Sequence, residues 1–148
     1  NNEKVIIRNS LSTRPWQHVL EPLSGYLSLA LKLRENQELS GESFNFGPSS
    51  ENEYSVGDLV NELSKEWPDS NWNDITNKNK KLYEASLLSL NCDKASKLLD
   101  WTSVLDFPET AKWTAEWYYE YYNHSKKSVM ELTIKQIQKY SKLSGILG

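Results

Sequence analysis

Cysteine is almost missing from this 148-residue chain: Cys92 stands alone, so no internal disulfide can form. Histidine is scarce too. His18 and His124 lie far apart, and no Cys/His spacing could hold zinc. A lone cysteine in apolar surroundings reads as an inert buried residue, and the expected compartment is a reducing, cytoplasmic one. No apolar run approaches the ~20 residues needed to cross a bilayer. Positive charge is not in excess either: Lys plus Arg is 17 against 20 for Asp plus Glu, a net charge of −3. Nucleic-acid binding needs a positive field, and no basic run supplies one. Nucleic acid and membrane are therefore set aside as partners. The chain starts at Asn1 with no initiating methionine and no signal-like segment, so the expectation is a piece of something longer.

What is present is enough chain for one domain, 1–148, and a large aromatic content. The hydrophobic fraction is 38%, below the usual ~45–50%. Six Trp, eight Tyr and three Phe compensate and exclude a disordered chain.

The patterning predicts a mixed chain. Val5-Ile6-Ile7 is a β-branched run, read as a strand. A helix is expected from about Glu21, with Pro22 at its first position. Leu23, Tyr26, Leu27, Ala30 and Leu31 recur at helical spacing and are the expected face toward a strand at Phe44–Gly47. Leu29 and Leu33 form a second stripe that needs other partners. Ser55-Val56-Gly57-Asp58 reads as a capping box opening a helix through Trp67. A polar loop follows over 68–82, with a short strand at Trp72–Ile75 and a further edge strand at Leu87–Leu90. Asp93 is expected to cap a helix from Lys94 to Leu99. Pro108 opens a longer helix after Asp106, carrying Trp113, Trp117 and Tyr121 on one stripe. That spacing favours packing over a sugar-stacking platform. In the tail, 129–148, Thr133 to Gln136 reads as a capping box, with Ile134, Ile137 and Tyr140 on one face. The order implies an α/β class with few strands and several helices, and a sheet so small looks like the edge of a larger one.

Three stretches carry a family resemblance: RPWQHVLEPLSGYLSLA (Arg14 to Ala30), FNFGP (Phe44 to Pro48) and EASLLSLNCDKASKLLDW (Glu84 to Trp101). With the tail Glu131-Leu132-Thr133-Ile134, they resemble the CDP-glucose 4,6-dehydratases of the extended short-chain dehydrogenase/reductase superfamily. The resemblance implies the C-terminal substrate-binding portion of such an enzyme, lacking the N-terminal Rossmann nucleotide-binding portion. The family converts CDP-D-glucose to CDP-4-keto-6-deoxy-D-glucose. Bound NAD takes a hydride from the sugar, water leaves, and the hydride returns. CDP-glucose, the missing N-terminal portion and further copies of the complete enzyme are the implied partners. NAD is the implied cofactor of the complete enzyme, and none is expected for this chain alone. The NAD site needs a GxxGxxG loop, which the six glycines do not form. One Tyr-x-x-x-Lys occurs, Tyr122 to Lys126, but it falls beyond the substrate-binding motifs and reads as chance. No catalytic residue is therefore assigned.

Five residues are candidates for substrate binding. Arg14 matches a residue that contacts the diphosphate in similar enzymes, and a guanidinium suits phosphate geometry; the alternative is a surface arginine. Glu84 stands where relatives carry an acid that takes the ribose hydroxyls, a fit for an acceptor-only group. Lys81 stands where a basic phosphate ligand occurs, although Lys78 and Lys80 blur the register. Asn45 either reaches the nucleotide or satisfies backbone. Arg8, at the end of the first strand, is placed near the base. Trp16 and His18 read as structural. Tyr83 and Asn91-Cys92-Asp93 depart from the family pattern and put contacts from position 83 in doubt. Two rivals stand from other classes: a carbohydrate-binding module using exposed aromatics, which would bind free sugars, and a helical interaction domain, which would bind neither sugar nor nucleotide.

Overall fold

The computed structural model describes residues 4–49, 53–67, 70–76 and 88–145. Within them lie four short strands, β1 (Val5–Ile7), β2 (Thr13–Arg14), β3 (Tyr54–Ser55) and β4 (Trp72–Asp74). Five helices accompany them: α1 (Leu20–Glu35), α2 (Val56–Glu66), α3 (Asp93–Leu99), α4 (Phe107–Asn123) and α5 (Lys126–Leu143). β1 pairs in parallel with β4, with Ile6 opposite Asn73. β2 pairs antiparallel with β3, with Arg14 opposite Tyr54. The mixed architecture with few strands is the one the patterning implied.

Local chemistry starts most of these helices. The Ser55 hydroxyl accepts from the Asp58 N–H at 3.1 Å, while Asp58 accepts from the Ser55 N–H at 2.8 Å. This is the reciprocal capping box that satisfies two first-turn donors. The Ser55 hydroxyl also donates to the Asp58 carboxylate at 2.6 Å, and that bond, with the one from the Ser55 N–H, holds the carboxyl below its ordinary pKa. Asp106 caps α4 through the Glu109 N–H at 2.8 Å, with Pro108 in the first turn. α2 packs against α4, and α4 against α5.

Several expected features differ. α5 is capped by Ser125, whose hydroxyl accepts from the Ser128 N–H, so Thr133 lies mid-helix rather than at a cap. Its hydroxyl instead accepts from the Trp117 indole at 2.8 Å. Gln136 and Tyr140 are buried on α5, whereas Ile134 and Ile137 are exposed. Asp93 is the first residue of α3, its N–H held by the Asn91 side chain at 2.9 Å; the cap position belongs to Cys92. Phe44–Gly47 joins no sheet among the described residues, and 88–90 form no strand; Leu87 lies outside them.

The largest difference is the orientation of α1. The expected core stripe faces outward: Leu23, Tyr26, Leu27 and Leu31 are 47%, 57%, 61% and 59% exposed. Glu21, Ser24 and Gly25 are buried instead, and Leu29 and Leu33 pack on a core of Leu39, Phe46, Ala95, Leu99 and Trp101. Gly25 explains the choice of face. A β-carbon there would sit 2.3 Å from the Phe46 ring, so only glycine lets that ring reach the helix backbone. Phe46 meets Trp101 edge-on at 5.0 Å, the electrostatically favoured geometry for such a pair. A second core of Leu105, Trp113 and Tyr140 lies against Leu20.

Between the two cores runs a buried polar network. One Glu21 carboxyl oxygen accepts from the Val104 and Leu105 N–H groups at 3.0 and 2.8 Å. The other accepts from the Tyr140 hydroxyl at 2.7 Å. Ser24 lies 2.9 Å from that hydroxyl and accepts from the Trp101 indole at 2.8 Å. Burial pushes the Tyr140 pKa well above its ordinary value. The adjacent Glu21 adds to that rise, and the Ser24 hydrogen bond opposes it. Every buried polar side chain in this network has a partner, the condition for such a group to be tolerated.

Candidate functional site

The turn between β1 and β2 brings two of the proposed binding residues together. Arg8 follows β1, Arg14 ends β2, and both line a groove of about 230 Å³ with Asn9, Ser12, Ile7 and Val56. Pairing with β3 holds Arg14 in register, and one of its guanidinium nitrogens donates to the Thr13 carbonyl at 2.7 Å. Arg14 also borders a small depression against Pro48, Glu53 and Leu90, so it stands between the groove and the segment after Phe46.

The residues that follow Arg14 in RPWQH are committed to structure. The Trp16 indole donates to the Tyr54 carbonyl at 3.0 Å, tying the motif to β3. The Gln17 amide donates to the Phe46 carbonyl at 2.9 Å. His18 is buried, meets Trp113 edge-on at 5.7 Å, and accepts the Leu20 N–H on Nδ1 at 3.3 Å. Burial lowers its pKa, and no acid or nucleophile pairs with it among the described residues. These are the structural roles read for Trp16 and His18 in the sequence. Arg14 is the one residue of RPWQH that lines the groove.

Asn45 donates to the Asn91 carbonyl at 3.2 Å, joining the 44–47 segment to the approach to α3. This is the backbone role, and Asn45 is not among the residues of the arginine groove. Glu84, Lys81 and Tyr83 lie outside the described residues. The aromatic stripe of α4 is divided. Trp113 is buried and Trp117 bonds Thr133, while Tyr121 stacks on Trp117 at 5.4 Å and is exposed. Tyr122 and Lys126 fall on different helices, because α4 ends at Asn123 and α5 begins at Lys126. A Tyr-x-x-x-Lys pair needs both side chains on one helical face.

A second opening, about 420 Å³, lies between Gly47, Pro48, Leu90, Cys92, Trp101 and Thr102. Among the described residues that line it, none is cationic. Cys92 is half-buried there, and burial pushes its thiol pKa up, away from reactivity. Sequence reasoning missed Asn9 and Ser12 as groove residues. Nothing in their spacing marks them, because an irregular turn has no period to read.

No family model matches the chain. Among curated proteins it is similar to the CDP-glucose 4,6-dehydratase of Salmonella typhimurium strain LT2, with 39% identity over 122 residues. The match covers 79% of this chain and 33% of that enzyme, so the chain spans about a third of its relative's length. The resemblance first read from RPWQHVLEPLSGY is borne out by this likeness. No described helix is long and apolar enough to cross a membrane.

Proposed function

We propose that this chain is the substrate-binding part of a CDP-glucose 4,6-dehydratase, with the arginine groove as the seat of the nucleotide diphosphate. The observation that supports this reading is the convergence of Arg8 and Arg14 on one groove beside β2. The Arg14 guanidinium suits a diphosphate, because it can present paired donors to acceptor-only oxygens, and Arg8 adds positive charge to the same groove. Arg14 binds the diphosphate, Arg8 lies toward the base, and Glu84 and Lys81 complete the ribose and phosphate contacts. The likeness over most of the chain supports the choice of CDP-glucose among nucleotide-sugars.

Among the described residues, the strand-to-helix junction at β3 and α2 does not fit NAD. Dinucleotide sites place free N–H groups of a helix start against the pyrophosphate. Here β3 leads directly into α2, but the Val56, Gly57 and Asp58 N–H groups are spent on Ser12, Ser10 and Ser55. Gly25 is filled against Phe46. The hydride steps of the implied redox cycle are therefore assigned to no residue of this chain.

Calorimetry on the 148-residue chain tests the reading. CDP is expected to bind and free glucose is not. Arg14→Ala should weaken CDP by roughly 10- to 150-fold, the worth of a charge-assisted hydrogen bond. Wild-type affinity in that variant would remove the groove from the proposal. The exposed Tyr118, Tyr121 and Tyr122 favour the rival carbohydrate-binding reading, and binding of glucose without CDP would select it.

A further inference from the structure

Two serines of the β1–β2 turn, Ser10 and Ser12, are both buried, but their polar atoms meet opposite fates. The Ser10 hydroxyl donates to Asp74 at 2.7 Å, its N–H to Thr76 at 2.9 Å, and its carbonyl accepts the Gly57 N–H at 2.9 Å. The Ser12 carbonyl accepts the Val56 N–H at 2.9 Å, yet its hydroxyl has no hydrogen-bond partner among the described residues although the residue is only 2% exposed. A buried hydroxyl without a partner is uncommon and destabilising, since it has lost water and gained nothing. Ser12 belongs to the wall of the same groove as Arg8 and Arg14.

We infer that the Ser12 hydroxyl is a binding residue for the phosphate groups of the nucleotide, its donor satisfied only when the groove is filled. The inference rests on the reading of that groove as a diphosphate seat. Phosphate oxygens at neutral pH are acceptors without a proton to give. A hydroxyl in the wall that also carries Arg8 and Arg14 supplies them with a short neutral donor beside the charged ones. The groove wall carries two cationic side chains, Arg8 and Arg14, so its composition favours the anionic part of the ligand. The turn backbone is already anchored to α2 through the Ser12 carbonyl, which holds the hydroxyl in place before ligand arrives.

A structural hydroxyl and a ligand-directed one differ in the sign of their effects. If ligand completes Ser12, its removal relieves the free protein and harms the complex. The test titrates wild type, Ser12→Ala and Arg14→Ala with inorganic pyrophosphate, CDP and cytidine, and records the melting temperature of each free protein. Ser12→Ala should melt no lower than wild type and bind pyrophosphate and CDP about tenfold more weakly. Its cytidine binding should be unchanged. If Arg14→Ala loses pyrophosphate while Ser12→Ala binds it like wild type, the Ser12 role is overturned and the groove reading stands. If Ser12→Ala loses affinity together with melting temperature, the hydroxyl is a folding element and the inference is overturned. If wild type binds neither pyrophosphate nor CDP, the groove reading fails and takes the inference with it.

Discussion

The two faces of α1 make an instructive pair. The outer face carries Leu23, Tyr26, Leu27 and Leu31, the more apolar set, and stands in solvent. The inner face carries Glu21, Ser24 and Gly25, less apolar residues, and is buried. Apolar area alone would have reversed them. The inner face wins on two specific terms: Gly25 admits the Phe46 ring to the backbone, and the polar atoms of Glu21 and Ser24 all find partners. Burial follows the face that packs closely and satisfies its polar groups.

The strongest way to break this comparison is Glu21→Ala. It orphans the Val104 and Leu105 N–H groups together and leaves the Tyr140 hydroxyl with Ser24 alone. The expected loss is at least about 2 kcal/mol, since each of the two buried donors left unpaired costs ~1–3 kcal/mol. Urea unfolding of the variant checks it, and a loss under 1 kcal/mol would show that water replaces the carboxyl.

Gly25→Val comes next. The new side chain must displace Phe46, so overpacking should cost about 1–3 kcal/mol and move the Phe46–Trp101 contact. Trp fluorescence followed through denaturant unfolding reports both changes.

His18 sharpens the comparison through pH. It stands at the start of α1, and its Nδ1 accepts the Leu20 N–H, which a protonated ring cannot do. Burial lowers its folded pKa from 6.5, so folding favours the neutral ring. That stability is present in full above pH 6.5 and is lost as pH falls toward the folded pKa. The gap in melting temperature between wild type and His18→Gln should narrow on acidification across that window. A gap that stays constant would mean the ring does not titrate differently on folding.

The smallest effect on stability is expected on the outer face. Replacing Leu27 and Leu31 together by Ser should change the unfolding free energy by about 0.5 kcal/mol or less, as exposed positions do. Self-association should fall, because a contiguous apolar stripe in water promotes it. Sedimentation velocity over a concentration series reads that out; unchanged association would place the sticky surface elsewhere, for instance among the exposed tyrosines of α4.

Much of the local structure was legible in advance. The cap at Ser55 and the start of α4 after Asp106 were readable because a helix start depends on one side chain, or a proline, and N–H groups two or three residues on. Val5–Ile7 was readable as a strand from its β-branched composition, and the strand read at Trp72–Ile75 is one residue longer than β4. The start of α5 was not. Thr133 looks like a cap in sequence, but Ser125 is also able to cap, and only packing of Trp117 on Thr133 decides between them. At the candidate site, Arg14 stood out through its motif, whereas Ser12 carried no mark of its own.

By itself, then, the sequence determined where most helices begin, the mixed class of the chain and its likeness to a CDP-glucose 4,6-dehydratase. Those features depend on neighbours in the chain or on motifs within it. The tertiary structure decided which face of α1 is buried, that Asn45 serves the Asn91 carbonyl, and that Arg8, Ser12 and Arg14 share one groove. Each of those outcomes is a competition between groups distant in sequence, settled by close packing and by the need to partner every buried polar atom.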